Sequence, residues 1–331
     1  MQVSQLEWII TLSATIAVLL FDVVVIGRRP HEPSRRETGT YLTIYIGLAV
    51  AFGLWVWFFH GSQFGLEFFA GWLTEYSLSV DNLFVFLIIM ASFNVPRQYQ
   101  QQALLVGIIL ALVFRGIFIA LGAVAINQFS WVFYIFGAFL LYTAINLARD
   151  TEHEDDADNV VVRFARSHLK LTDRWDGMKL WVKENGKRLM TPMFLVIVAL
   201  GTTDLIFALD SIPAIYGLTQ EPYLVFTANV FALMGLRQLY FLLGDLLKRL
   251  VYLSQGLAII LAFIGVKLVL HALHENELPF INGGKHVPVP EIPTLLSLGV
   301  IVVVLVITTV ASLYKTRVVE KKTPTPNSVN Q

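Results

Sequence analysis

Long apolar runs separated by short polar segments set the pattern of this chain. A helix that crosses the hydrocarbon core of a bilayer needs about 20 predominantly apolar residues. Runs of that kind fall at roughly 6–26, 41–59, 66–90, 102–126, 130–148, 192–218, 223–244, 251–273 and 294–314. The pattern predicts an all-α fold, a polytopic transmembrane helix bundle of about nine spans in a lipid bilayer. The first five residues lack the positive charge of a secretory signal, so the first run is expected to be a span rather than a cleaved leader.

Lys and Arg concentrate in alternate connections. Arg28, Arg29, Arg35 and Arg36 follow the first run, Arg97 the third, Lys248 and Arg249 the seventh, and Lys315, Arg317, Lys321 and Lys322 the last. The intervening connections are nearly free of them, Lys285 excepted. Positive charge stays on the cytoplasmic side of short loops. The expected topology is therefore a multi-pass protein of the plasma membrane, N-terminus outside and C-terminus cytoplasmic.

Six regions follow from this reading. Residues 1–65 hold two spans with a basic cytoplasmic loop, 66–148 a first three-helix unit, and 149–191 a charged cytoplasmic loop. Residues 192–273 hold a second three-helix unit, 274–314 an external loop and the final span, and 315–331 a disordered cytoplasmic tail. Inside the charged loop, Asn185-Gly186 between Leu180-Trp181-Val182 and Arg188-Leu189-Met190 predicts a small β-hairpin. The acidic run from Asp150 to Asp158 lacks the ligand spacing of an EF-hand and reads as a solvated loop.

Composition narrows the function classes. Hydrophobic residues make up 56% of the chain and charged residues 15%, with a mean hydropathy of +0.66. Soluble domains carry about 25% charged residues. A formal net charge of zero gives no sign of a nucleic-acid partner, and none is expected. With no cysteine, the chain has no disulfide, thiolate metal site or cysteine nucleophile. No Walker A motif is present, so the chain supplies no ATPase of its own.

A duplication carries the chemistry. Glu75-Tyr-Ser-Leu-Ser-Val-Asp81-Asn82 in the third run matches Asp204-Leu-Ile-Phe-Ala-Leu-Asp210-Ser211 in the sixth. Arg115 and Arg237 occupy similar frames in the fourth and seventh runs. Units of three spans have opposite orientations in the membrane, so the reading is an inverted repeat of two three-helix units. Transporters built this way hold their site near the midplane where the copies meet.

Carboxylates inside a membrane are costly and are functional candidates. Asp81, Asp210, Glu75 and Asp204 lie within spans, with Asn82 and Ser211 beside two of them. Four acids against Arg115 and Arg237 leave two formal negative charges, which suits one divalent cation; structural ion pairing with the arginines is the alternative. Six residues of helix give about 9 Å of rise and 240° of rotation. One straight helix therefore cannot close both of its acids on one ion, whereas Asp81 and Asp210 from opposed helices can. Pro213 frees the Leu209 carbonyl as a further ligand, or simply kinks the helix. Oxygen donors of these types suit Mg²⁺, Ca²⁺ or Mn²⁺. His271, His274 and Glu275 form a lesser cluster at the outer end of the eighth run, and Asp245 has Lys248 and Arg249 as local partners.

The segments Glu75–Phe86 and Thr203–Ile215 resemble the paired signatures of the TerC integral membrane family, and Phe136-Gly137-Ala138-Phe139 and Phe263-Ile264-Gly265-Val266-Lys267 are similar to it as well. The family is named for tellurium resistance. The resemblance implies manganese efflux, with Glu75, Asp81, Asp204 and Asp210 as the metal site. Many members carry Glu three positions before the acid matching Asp204, where this chain has Gly201, so one ligand of the family pattern is absent.

The expected function is export of a divalent metal cation, Mn²⁺ first, by a membrane transporter that is not an enzyme and holds no permanent cofactor. Asp81 and Asp210 are expected to contact the cation, with Asn82 and Ser211 beside them. Glu75 and Asp204 are expected to be ligands or proton carriers, and Arg115 and Arg237 to hold the acids apart. The alternative is a membrane scaffold, assembly or tellurium-resistance-associated protein without transport activity. Beyond the bilayer and the cation, the expected partner is a second copy or another membrane protein, engaged through the 149–190 loop.

Overall fold

The computed structural model describes residues 1–28, 34–129, 131–149, 172, 175–184, 187–243 and 251–322. The helices are α1 (Gln5–Arg28), α2 (Arg35–His60), α3 (Ser62–Ser92), α4 (Arg97–Gln128), α5 (Val132–Arg149), α6 (Pro192–Tyr216), α7 (Pro222–Leu243), α8 (Leu253–His274) and α9 (Thr294–Lys322). Among the described residues, eight helices, α2 to α9, are long and apolar enough to cross a membrane. The first predicted span coincides with α1, whose described apolar stretch is the shorter Gln5–Val18. Every backbone amide inside lipid must find its partner within the segment, and a helix meets that demand alone.

Strand β1 (Trp181–Glu184) pairs antiparallel with β2 (Lys187–Met190), Trp181 opposite Met190 and Glu184 opposite Lys187. These are the strands of the hairpin that the sequence predicts; Asn185 and Gly186 themselves lie outside the described residues. The Thr191 hydroxyl then donates to the Lys179 carbonyl at 2.6 Å, tying the hairpin to the start of α6. The final helix departs from expectation. It continues to Lys322, past the predicted end at 314 and into the segment expected to be disordered. The added residues include Lys315, which is exposed, and Arg317, Glu320, Lys321 and Lys322, all residue types that form helices well. The expected disorder from 323 onward, the acidic run from Asp150 to Asp158, and the Asp245 cluster lie outside the described residues.

Packing separates centre from periphery. Helices α3 and α7 are the most buried spans, whereas α2 and α9 turn most of their length outward. Phe58, Phe59, Leu295 and Val310 are each more than half exposed on these outer helices. On a bundle in lipid such apolar surface needs no protein cover. Helix α3 packs on α7, α4 on α6, and α5 on α8, while α2 lies across α3 and α7 and α9 across α3 and α8. Trp8, Phe52, Phe68, Tyr223 and Phe231 stack where α1 and α2 meet the central pair.

The α5–α8 crossing is close because two glycines face each other. A Cβ on Gly137 would sit 2.9 Å from the Gly265 carbonyl oxygen and 2.7 Å from Val269 Cγ2. A Cβ on Gly265 would sit 3.1 Å from the Gly137 carbonyl oxygen. Small residues allow backbones to approach this closely in membranes. Gly137→Ala is expected to force the helices apart and to cost about 1–3 kcal/mol, read as a lowered thermal midpoint in detergent. Gly116→Ala on α4, where a Cβ meets nothing within 4 Å, is the matched control and should leave the midpoint unchanged or raised.

Candidate cation site

Four helices contribute to one buried polar cluster at the centre of the bundle. Each supplies a residue from the middle of an apolar stretch: Glu75 on α3, Arg115 on α4, Asp204 and Ser211 on α6, and Asn229 on α7. All five are buried, Glu75 completely. Arg115 occupies the centre. Its Nε donates to Asp204 Oδ2 at 3.3 Å and its Nη2 to Asp204 Oδ1 at 3.1 Å, a two-pronged clamp on one carboxylate. Its Nη1 donates to Ser211 Oγ at 3.1 Å and to Asn229 Oδ1 at 3.0 Å. The same nitrogen pairs with Glu75 Oε1. Ser79, one turn along α3, donates to Glu75 Oε1 at 3.4 Å. Asn229 is oriented for its part by donating Nδ2 to the Val225 carbonyl at 3.0 Å.

Two carboxylates and one guanidinium leave the cluster with a formal charge of −1. Glu75 Oε2 is buried without a hydrogen-bond partner. An ionised oxygen held this way in a low-dielectric interior is a strong acceptor for a cation or a proton.

The structure distributes the predicted site residues unevenly. Glu75, Asp204 and Ser211 come together, joined by Arg115. Asp210 does not join them. It lies further along α6, half-buried, and its Oδ1 accepts from Thr143 Oγ1 of α5 at 3.0 Å. The six-residue separation of Asp204 and Asp210 turns them to different faces, as helix geometry requires. Asn82 is buried on α3. Asp81 belongs to α3 by its backbone, and its side chain lies outside the described residues. Arg237 is buried on α7. Helix α6 runs continuously through Pro213.

Among the described residues no three Asp, Glu or His side chains gather closely enough to hold a metal ion. At the centre, the Arg115 guanidinium stands between Glu75 and Asp204. At the α8 end, His274 pairs with Glu291 at 3.3 Å and His271 with Gln220 at 2.8 Å, so these histidines do not form one cluster with Glu275. Gly201, where the family pattern has an acid, faces α4: a Cβ there would meet Leu110 Cδ1 at 3.4 Å.

Sequence reasoning passed over Asn229 and Thr143. Each is a lone polar residue in an apolar run, a signal too common to single out without knowing which face is buried.

The match to known proteins covers these helices. Residues 60–320 match the integral membrane protein TerC family, which takes in α3 to α8 and nearly all of α9. The chain belongs to the TerC family. It is 51% identical over 322 residues to an uncharacterized membrane protein of Mycobacterium tuberculosis, covering 96% of this chain and 81% of that one. An uncharacterized membrane protein of Myxococcus xanthus is 36% identical, covering 94% and 92%. A relative from Escherichia coli K12, whose name is "Putative membrane-bound redox modulator Alx", is 37% identical, covering 89% and 91%. No solved structure matches. This TerC-family chain is a multi-pass integral membrane protein.

Proposed function

We propose that this protein is a secondary transporter that exports a divalent metal cation, Mn²⁺ first, from the cytoplasm, with the Glu75–Arg115–Asp204 cluster as its switch. The observation that carries the reading is two buried carboxylates on different helices sharing one guanidinium, with one oxygen of Glu75 left unbonded. In this state Arg115 is a resident cation. A divalent ion entering between Glu75 and Asp204 would take over the carboxylates, while Ser211 and Asn229 keep donor-matched places for the released guanidinium. A divalent ion held by both carboxylates would offset their two charges, so that neither is left buried without a counter-charge when the guanidinium withdraws. Asp210, with Thr143, provides a further carboxylate about 9 Å along α6.

The packing supports an inverted repeat of α3–α5 and α6–α8. Exchanging the units turns the α3–α7 contact into the α6–α4 contact and leaves α5–α8 paired with itself. On that reading Gly137 and Gly265, each against the other's carbonyl, would lie at the axis. Two such units rocking about a shared axis would alternate access to a fixed site. The N-terminus-out orientation rests on the Lys and Arg distribution. The name of the Escherichia coli relative concerns redox; this chain has no cysteine, so thiol exchange within the chain cannot carry such a role.

The direct test is flux in proteoliposomes holding the purified full chain, against a panel of Mn²⁺, Mg²⁺, Ca²⁺, Zn²⁺ and tellurite. Saturable Mn²⁺ flux well above that of empty liposomes is expected. Absence of flux for every divalent ion, from protein that is folded and inserted, would set the transporter reading aside in favour of a scaffold.

A further inference from the structure

A second polar site lies at the end of the bundle opposite the β-hairpin. A cavity of about 330 Å³ opens between the start of α3, the α6–α7 connection, the end of α8 and the start of α9. Its charged lining is Glu67, Glu221, Glu291 and Lys267, three carboxylates against one ammonium, and the Met1 amino group on Glu221 brings the formal excess to −1 with the histidines neutral. Two of these acids are already engaged: Glu221 pairs with the Met1 amino group and Glu291 with His274. Glu67 differs. It is buried, and its two oxygens accept from neutral donors, Gln63 Nε2 at 3.1 Å and Thr219 Oγ1 at 2.7 Å. A carboxylate has about four acceptor positions, so both oxygens keep lone pairs to spare. Lys267 lines the same cavity.

We infer that this cavity is a second cation station, where Glu67 binds a hydrated divalent cation in competition with the tethered ammonium of Lys267. The inference rests on the reading that the protein moves such a cation. Water takes about 30 Å³ per molecule in the liquid, so the cavity has room for about ten. An ion of the Mg²⁺ or Mn²⁺ type, which gives up its waters reluctantly, enters here with much of its shell. The negative lining disfavours an anion. Glu67 also lies eight residues before Glu75 on α3, about 12 Å along the axis and about 80° round it. That places the station between the central cluster and the membrane face beyond α3's first turn. Lys267 stands in the same cavity as a built-in cation, with neutral donors on Glu67 itself, and a mobile cation would compete with it for the carboxylate's field.

The test is a Mn²⁺ titration of the purified full-length protein in detergent, with free Mn²⁺ counted by its paramagnetic resonance signal. Three variants are compared with the parent, each first checked for a single monodisperse folded species. Glu67→Gln should weaken one class of bound Mn²⁺ by about tenfold or abolish it. Lys267→Met should tighten that same class by about tenfold, because a like charge next to the ion is removed. Asp204→Asn should leave this class in place. Parental binding in Glu67→Gln, or unchanged or weakened binding in Lys267→Met, would overturn the inference, and the lysine variant decides alone if the glutamine variant does not fold. Binding lost in Asp204→Asn but kept in Glu67→Gln would leave only the central site standing. The converse would leave only the vestibule.

Discussion

Replacing Arg115 with Met is expected to destabilise the folded protein by about 3–5 kcal/mol, the usual cost of leaving a buried charge without its partner. The side chain is 1% exposed and serves Glu75, Asp204, Ser211 and Asn229 at once, so its loss strands acceptors on three other helices. Two carboxylates then face each other with no positive charge between them. Arg115→Lys should recover only part of the loss, because an ammonium cannot reproduce the two-pronged clamp on Asp204 while reaching Ser211 and Asn229. The measurement is the thermal midpoint and monodisperse yield in detergent. A diagnostic control is the triple variant Arg115→Met, Glu75→Gln, Asp204→Asn, which removes every charge together. If the cluster's contribution is charge pairing, the triple variant should be more stable than Arg115→Met alone. If Arg115→Met alone keeps the parental midpoint, the guanidinium does not hold the bundle's centre.

The opposite pattern is expected for the acids taken singly. Glu75→Gln or Asp204→Asn changes the formal charge of the cluster from −1 to zero and leaves one carboxylate for one guanidinium. The fold should therefore survive with a near-parental midpoint. Transport should not. A neutral cluster has no excess negative charge to draw a divalent ion away from water, and Glu75→Gln also replaces the unbonded oxygen of the buried carboxylate. Mn²⁺ flux in proteoliposomes is expected to fall at least 100-fold for either variant, corresponding to about 2.7 kcal/mol or more at about 1.36 kcal/mol per tenfold step. Asp210→Asn should do less harm, because Asp210 lies apart from the clamp and accepts from Thr143. Parental flux in both Glu75→Gln and Asp204→Asn, at normal insertion, would remove the cluster from the transport path.

The apolar runs alone determined the membrane class and the helical fold and located eight of the nine expected spans among the described residues, because lipid admits so few solutions for a polypeptide backbone. They also exposed Glu75, Asp204 and Arg115, since a charge inside such a run is too costly to be incidental. Helix geometry told that Asp204 and Asp210 could not share an ion on one straight helix, and the structure has them on different faces with different partners. Glu67 carried the same signal as Glu75, but it lies one residue inside the predicted 66–90 span, where a carboxylate can equally reach the interface. Only its burial against Thr219 and Gln63, and Lys267 across the cavity, mark it out.

Which charges meet was decided by tertiary packing. Sequence spacing could count acids against arginines, but it could not say that one arginine would take both Glu75 and Asp204. That outcome depends on α3, α4, α6 and α7 converging at one depth, with Asn229 turned inward to complete the guanidinium's bonds. The close α5–α8 crossing was likewise invisible in the sequence, where Gly137 and Gly265 are small residues among many. Side-chain periodicity fixes which way a residue points from its own helix. It carries no information about what stands opposite, and in this protein the charge balance of the site depends on the residue opposite.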